Sequence, residues 1–248
     1  MTNLVIDIGN TLTKIAVFSD DNLLYNGHFE YVDTNLIDSL YGEHRFTTVI
    51  ISSVKRGDKS AWENHLEKTV KPVYFNSGMT GGIKNQYLTP HTLGLDRLAA
   101  VIGANYLYPG KSNLVIDGGT CITYDMVDAK GNYFGGSISP GLNMRYKALN
   151  YYTAALPVLS PEELFNETYG NSTVSAIHSG VQNGIRYELT GFIETYKKKE
   201  NELNIILCGG DSIFFDTLLK NSIFAPYVKI EPYLVLKGLN AAIQNNND

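Results

Sequence analysis

Asn3-Leu4-Val5-Ile6-Asp7 returns letter for letter as Asn113-Leu114-Val115-Ile116-Asp117, and each copy runs on into a turn of Gly and Thr. A short apolar run that ends in a carboxylate reads as a buried strand carrying an Asp to the edge of a sheet. Written twice in one chain, the line restricts the fold to two copies of one unit.

The surroundings of the two copies agree. Apolar alternation predicts a second strand at residues 12–18 and 121–127, and a third at 23–30 and 133–138. The turns between them, Ser19-Asp20-Asp21-Asn22 and Asp128-Ala129-Lys130-Gly131-Asn132, make each half open with three hairpin strands. Strands then alternate with helices. In the first half the pattern predicts a strand at 47–52, a helix at 61–70, a short strand at 73–75 and a helix at 95–107 stopped by Pro109 and Gly110. In the second half it predicts helices near 142–155 and 173–199, a strand at 204–208, a short helix, a strand near 229 and a C-terminal helix over 234–243. Ser160-Pro161-Glu162-Glu163 has the form of a capping box opening another short helix. The expectation is an α/β protein of two facing domains, residues 1–110 and 111–248, each a three-stranded hairpin sheet extended by alternating helices and strands.

Composition narrows the function. With 248 residues, 44% of them hydrophobic, a sizeable core is available, and a formal charge of −5 gives no basic field for nucleic acid. The run Lys197-Lys198-Lys199 falls at the end of an expected helix, where cations complement the dipole. No apolar run reaches the ~18 residues of a membrane span, and the first residues lack a basic segment followed by a long apolar one, so no membrane partner and a cytoplasmic location are expected. Cys121 and Cys208 stand far apart without metal-ligand partners, and the five histidines show no metal-binding spacing.

The chemistry concentrates in the two turns. Gly lets backbone N–H groups approach a ligand and a Thr hydroxyl adds a donor, so Gly9-Asn10-Thr11 and Gly119-Thr120 read as phosphate cradles, which facing domains would close on one polyphosphate. Asp7 and Asp117 stand ready to hold a hard cation against it, and Lys14 to reach the same phosphates. A third segment runs from Tyr87 to Arg97. There Asp96 suits the first turn of a helix, but Arg97 opposes the dipole and calls for an anion, either a ligand or Asp96 itself. Gly135-Gly136-Ser137-Ile138-Ser139-Pro140-Gly141 reads either as a close approach to ligand or as a tight strand-to-helix corner. Gly209-Gly210-Asp211 follows a strand end, where a nucleoside docks in open α/β sheets.

Taken together these residues resemble the acetate and sugar kinase, Hsp70 and actin superfamily, and within it the type III pantothenate kinases. The first phosphate motif is matched by Asp7-Ile8-Gly9-Asn10-Thr11 with Lys14, the second by Asp117-Gly118-Gly119-Thr120. The substrate segment is matched by Tyr87, Pro90, Gly94, Asp96 and Arg97, and two further motifs by 135–141 and by Gly170-Asn171-Ser172-Thr173. Cys121 departs from the small residue common there, and Leu12 and Thr13 from frequent choices. The resemblance implies two ribonuclease H-like, actin-like ATPase domains and the ATP-dependent phosphorylation of pantothenate to 4'-phosphopantothenate, the first step of coenzyme A biosynthesis. It also implies residue roles: Asp96 as catalytic carboxylate, and Asp7 organising Mg²⁺ directly or through water. Gly9, Asn10, Thr11, Lys14, Gly119 and Thr120 would hold ATP phosphates, and Asp117 a K⁺ or NH₄⁺ ion. Tyr87, Gly94 and Arg97 would line the pantothenate pocket, with Thr173 reaching it from the neighbouring subunit of a homodimer. Two alternatives share the scaffold: a nucleotide-binding regulatory protein, and a kinase of another small hydroxyl compound.

Overall fold

The computed structural model describes residues 1–53, 58–161, 164–200 and 202–245. Glu162 and Glu163 of the expected capping box lie outside them. The chain divides into two compact units, the first comprising Met1–Pro109, Gly131–Phe134 and Tyr233–Asp248, the second Gly110–Lys130 and Gly135–Pro232. A cut near residue 110 assigns the C-terminal helix to the second half, whereas in the structure that helix packs with the first.

In the first unit, β1 (Thr2–Ile8), β2 (Thr13–Ser19) and β3 (Asn22–Phe29) form the expected antiparallel meander. Helix α1 (Thr34–His44) leads to β4 (Thr48–Ser53), and α2 (Ala61–Leu66) to β5 (Val73–Tyr74), giving the sheet order β3-β2-β1-β4-β5 with β4 and β5 parallel to β1. A two-residue strand β6 (Lys84–Asn85) pairs with residues 132–133 before α3 (Leu95–Leu107). The core explains the run Leu4-Val5-Ile6: β1 is central and buried on both faces. Leu4, Ile6 and Ile8 pack with Ile37 and Leu40 of α1 and Trp62 and Leu66 of α2. The alternate residues Asn3, Val5 and Asp7 point to the other face, where Asn3 Nδ2 donates to Asn240 Oδ1 at 2.8 Å.

Asn240 belongs to α8 (Leu234–Gln244), which lies against β1, β2 and β4 and packs closely on α3. Two glycines allow that approach. A Cβ on Gly238 would stand 1.8 Å from the carbonyl oxygen of Ala99, and one on Gly103 would stand 2.6 Å from that of Leu234. Side chains there would force the helices apart, so the helix that carries Asp96 rests on the far end of the chain.

The second unit repeats the plan. β7 (Ser112–Gly118) and β8 (Cys121–Val127) are antiparallel, and β9 (Asn132–Pro140), β10 (Leu203–Gly209) and β11 (Val228–Ile230) complete the order β9-β8-β7-β10-β11. These five strands repeat the order β3-β2-β1-β4-β5, and β6 adds a sixth beyond β9. Its core lies on one face, where Leu114, Ile116, Ile122 and Tyr124 meet α4 (Leu142–Tyr151), α5 (Thr173–His178), α6 (Gly184–Lys197) and α7 (Ser212–Leu219). The helix expected over 173–199 is interrupted by a π-helical turn at Ser179–Asn183. The wider turn brings Gln182 and Asn183 inward, where Gln182 Oε1 accepts from the Phe165 N–H at 2.7 Å and Asn183 Nδ2 donates to the Glu167 carbonyl at 3.0 Å. Among the described residues no helix is long and apolar enough to cross a membrane.

Candidate active site

In the first unit the site assembles at the carboxyl end of β1. Asp7 lies there with 6% of its surface exposed, opposite Lys14 on β2 and opposite Ser52 on β4. Its carboxyl is held above the usual range. Burial is the main cause and the charge of Asp96 adds to it, while Lys14 and the Ser52 hydroxyl pull the other way. Ser52 is wholly buried, and its Oγ makes no hydrogen bond within ordinary limits among the described residues, so it acts on Asp7 as a nearby dipole. The sequence shows Ser52 only as the end of an apolar strand. Its importance depends on the β1–β4 register, which no local pattern reveals.

Gly9, Asn10, Thr11 and Leu12 make the turn, closed by the Gly9 N–H donating to the Leu12 carbonyl at 3.1 Å, with Asn10 and Thr11 exposed. Gly94 caps α3, and Asp96 follows in the first turn, exposed, with Oδ1 accepting from the Arg97 backbone N–H at 2.8 Å. The Arg97 side chain runs back under cover, 7% exposed. Its guanidinium lies 5.8 Å from the centre of the Tyr87 ring, which stacks on the buried Tyr133 at 6.3 Å. An aromatic face offsets part of the cost of a cation at a helix N-terminus. The structure thus brings Lys14 and Asp96 within electrostatic reach of Asp7 and sets the Arg97 guanidinium over the Tyr87 ring.

A cleft of about 930 Å³ opens on the same sheet's opposite face, lined by Ile8, Thr13, Trp62, Glu63 and Tyr74 among others. Neither Asp7, Asp96 nor Arg97 lines it, because the alternation of β1 turns Asp7 away from that face.

The second unit places Asp117 at the end of β7, half-buried, opposite Thr123 on β8 and Cys208 on β10, with its Oδ1 against Gly209. Gly119 and Thr120 form a two-residue turn and are exposed. The Gly118 carbonyl accepts from the Asp211 N–H at 3.0 Å, which brings the Gly209-Gly210-Asp211 segment beside that turn. Burial holds the Asp211 carboxyl above its usual range. Thr173 opens α5, behind a capping box of Ser172 and Ser175, and lines a groove of about 840 Å³ with Arg145, Leu149, Tyr152 and Ile177.

Among the described residues no group of three or more His, Cys, Asp or Glu is arranged to hold a metal. Mg²⁺ keeps several waters and is held by one or two carboxylates together with substrate phosphates. Asp7, a buried carboxylate raised by burial and by a second carboxylate, is the group that a divalent cation would relieve.

Comparison with known proteins identifies the fold and the family. The structure of a putative N-acetylmannosamine kinase from Listeria monocytogenes covers all of this chain with a TM-score of 0.61 at 13% identity, which shows the shared ribonuclease H-like fold. A type III pantothenate kinase of Christiangramia forsetii is 44% identical over 248 residues, covering 98% of each chain. One of Bacteroides fragilis is 40% identical over 245 residues, covering 99% of this chain and 98% of its own. The model of the family described as type III pantothenate kinase matches residues 3–195, and it spans both carboxylate-bearing strands, the Tyr87–Arg97 segment and Thr173. The chain therefore belongs to the type III pantothenate kinase family.

Proposed function

We propose that the protein transfers the γ-phosphoryl group of ATP to the primary hydroxyl of pantothenate, giving 4'-phosphopantothenate and ADP, at the entry to coenzyme A biosynthesis. The observation that carries this reading is the carboxylate pair of the first unit, Asp7 and Asp96, flanked by Lys14 and Arg97. Phosphoryl transfer through a loose transition state needs little covalent help from the protein; it needs aligned oxygens and compensated charge.

Asp96 is the base. With Oδ1 held by the Arg97 backbone N–H, Oδ2 is left to take the proton as the hydroxyl oxygen bonds to the γ-phosphorus and the bond to the ADP oxygen breaks. Arg97, packed on Tyr87, meets the pantothenate carboxylate, and Gly94 leaves room beside it. Gly9, Asn10, Thr11 and Lys14 hold phosphate oxygens in the first unit, and Gly119 and Thr120 do so in the second. Asp7 would hold Mg²⁺, directly or through water, and Asp117 would hold K⁺ or NH₄⁺. The bound ions supply positive charge against the phosphates. Thr173, exposed at the start of α5, completes the pantothenate pocket of a neighbouring subunit, which makes the working form a homodimer. The reaction belongs in the cytoplasm, where ATP and pantothenate meet.

The test is product analysis. Purified protein with ATP, Mg²⁺ and K⁺ is offered pantothenate, simple sugars and acetate, and the products are read by mass spectrometry. The expected result is 4'-phosphopantothenate and no other phosphorylated acceptor. Nucleotide binding with no product would favour a regulatory protein on the same fold, and a phosphorylated sugar would move the pocket to another substrate.

A further inference from the structure

The Gly135–Gly141 segment packs as a corner in the second unit, and the residues that hold the corner lie outside every motif described above. A Cβ on Gly136 would stand 1.8 Å from the Tyr124 carbonyl oxygen. Gly141 is wedged just as tightly against the second phosphate turn, where a Cβ would stand 2.2 Å from the Gly119 carbonyl oxygen and 2.5 Å from that of Thr120. The Gly141 N–H donates to the Thr120 carbonyl at 3.1 Å. The backbone of the turn is therefore set by where Gly141 sits.

Gly141 is fixed in turn by Arg145, one turn into α4. Its Nε donates to the Pro140 carbonyl at 2.8 Å and its Nη2 to Ser139 Oγ at 3.0 Å. Arg145 is held by Glu188 of α6, whose carboxylate collects donors from three elements: Tyr124 Oη of β8 at 2.8 Å, Ser139 Oγ of β9 at 2.5 Å, and Arg145 Nη2 of α4. Burial works against the charge of Glu188, but those hydrogen bonds outweigh it and hold its carboxyl below the usual range. The two charged side chains are 19% and 22% exposed. A pair this sheltered adds little net stability over well-packed apolar side chains, because desolvation offsets most of the attraction. What it supplies is direction: a fixed fork on Pro140 and Ser139.

We propose that Glu188 and Arg145 are positioning residues for the nucleotide, acting through Ser139, Pro140 and Gly141 on the Gly119–Thr120 turn without touching the ligand. The proposal rests on the reading of that turn as an ATP phosphate loop. The members of the network all lie in the second unit, whereas Tyr87, Gly94, Asp96 and Arg97 lie in the first. Loss of the network should therefore weaken the handling of ATP while sparing kcat.

The experiment is steady-state kinetics with ATP and pantothenate varied separately, alongside thermal melts. Glu188→Gln should raise KM for ATP about tenfold with kcat and the pantothenate KM within about threefold. Arg145→Lys, which keeps the charge but loses the fork, should match it, and Ser139→Ala, which keeps the ion pair, should raise KM for ATP about threefold. If Glu188→Gln fails to fold, Ser139→Ala carries the test. An unchanged KM for ATP in folded variants that merely melt earlier would overturn the proposal. So would a rise confined to the pantothenate KM, which would tie the network to the groove of Thr173. A wild-type enzyme that does not saturate with ATP, or saturates unaltered in a Thr120→Ala variant, would instead remove the reading of the loop.

Discussion

Asp7 and Asp117 end the same five-residue line on equivalent strands of equivalent sheets, yet their neighbours differ. Asp7 faces Lys14 and Ser52; Asp117 faces Thr123 and Cys208 at the matching positions. Asp7 is 6% exposed and lies within electrostatic reach of a second carboxylate, while Asp117 is half-buried, with Thr123 and Cys208 at the paired positions. The repeated strand brings a carboxylate to a sheet edge in each unit, and the flanking strands give the two different neighbours. A buried carboxylate with a lysine opposite it and an exposed carboxylate within electrostatic reach suits a doubly charged ion and phosphates. Asp117, opposite a hydroxyl and a thiol, is the carboxylate to which the reading proposed above gives the singly charged ion.

If only the first unit carries a base, Asp96→Asn should give the largest change, a loss in kcat of about 10²- to 10⁴-fold in protein that melts normally. Turnover near wild type would place the base elsewhere. Packing separates the halves next. Gly238→Ala should destabilise by at least about 1–3 kcal/mol, since its Cβ would press on the Ala99 carbonyl of the helix that carries Asp96. Gly191→Ala, inside α6 of the second unit with nothing within 4 Å of its Cβ, should stabilise by about 0.5–1 kcal/mol. Denaturant melts of the two variants should thus move in opposite directions.

The raised carboxyl of Asp7 fixes a sign. Because its folded value lies above the unfolded one, the native state keeps a proton that the unfolded chain releases first. Stability is therefore lost as pH rises from the ordinary carboxylate range through the raised value. At neutral pH without Mg²⁺, Asp7→Asn should melt higher than wild type while losing activity, and the advantage should vanish below the carboxylate range. A lower melting point at pH 7 would mean that Lys14 and Ser52 already satisfy the charge. The smallest effect is expected at Ser52, where Ser52→Ala should raise the Mg²⁺ needed for half-maximal rate by about two- to threefold, the loss of one weak hydroxyl contact. Cys208→Ala, at the matching position, should leave it unchanged.

The repeat made much of the fold legible, since periodicity and turn chemistry recur in both halves and support each other. The helix α1 has no place in that reading: only Ile37 and Leu40 are buried along it and Gly42, a weak helix former, lies inside it, although Asp33 caps it through the Leu36 N–H at 2.9 Å. The placement of α8 was out of reach as well, because its partner α3 is distant in sequence and the contact depends on two glycines with no local signature. Within the candidate site, the two carboxylate-bearing strands and the Gly-Thr turns that follow them were legible as motifs. Ser52, Arg145 and Glu188 were not, since each acquires its role from strand register or from side chains far away in the chain. The Gly135–Gly141 segment, open to two readings in sequence, has Gly136 and Gly141 packed as a corner.

The most direct test of the division of labour is a crossed cation titration of product formation in Asp7→Asn and Asp117→Asn, varying Mg²⁺ at fixed K⁺ and K⁺ at fixed Mg²⁺. Asp117→Asn should keep the wild-type Mg²⁺ requirement and lose its response to K⁺, while the residual rate of Asp7→Asn should need more Mg²⁺ and still respond to K⁺. Equal shifts in both titrations for both variants would contradict the account, because the two carboxylates would then serve one ion in common.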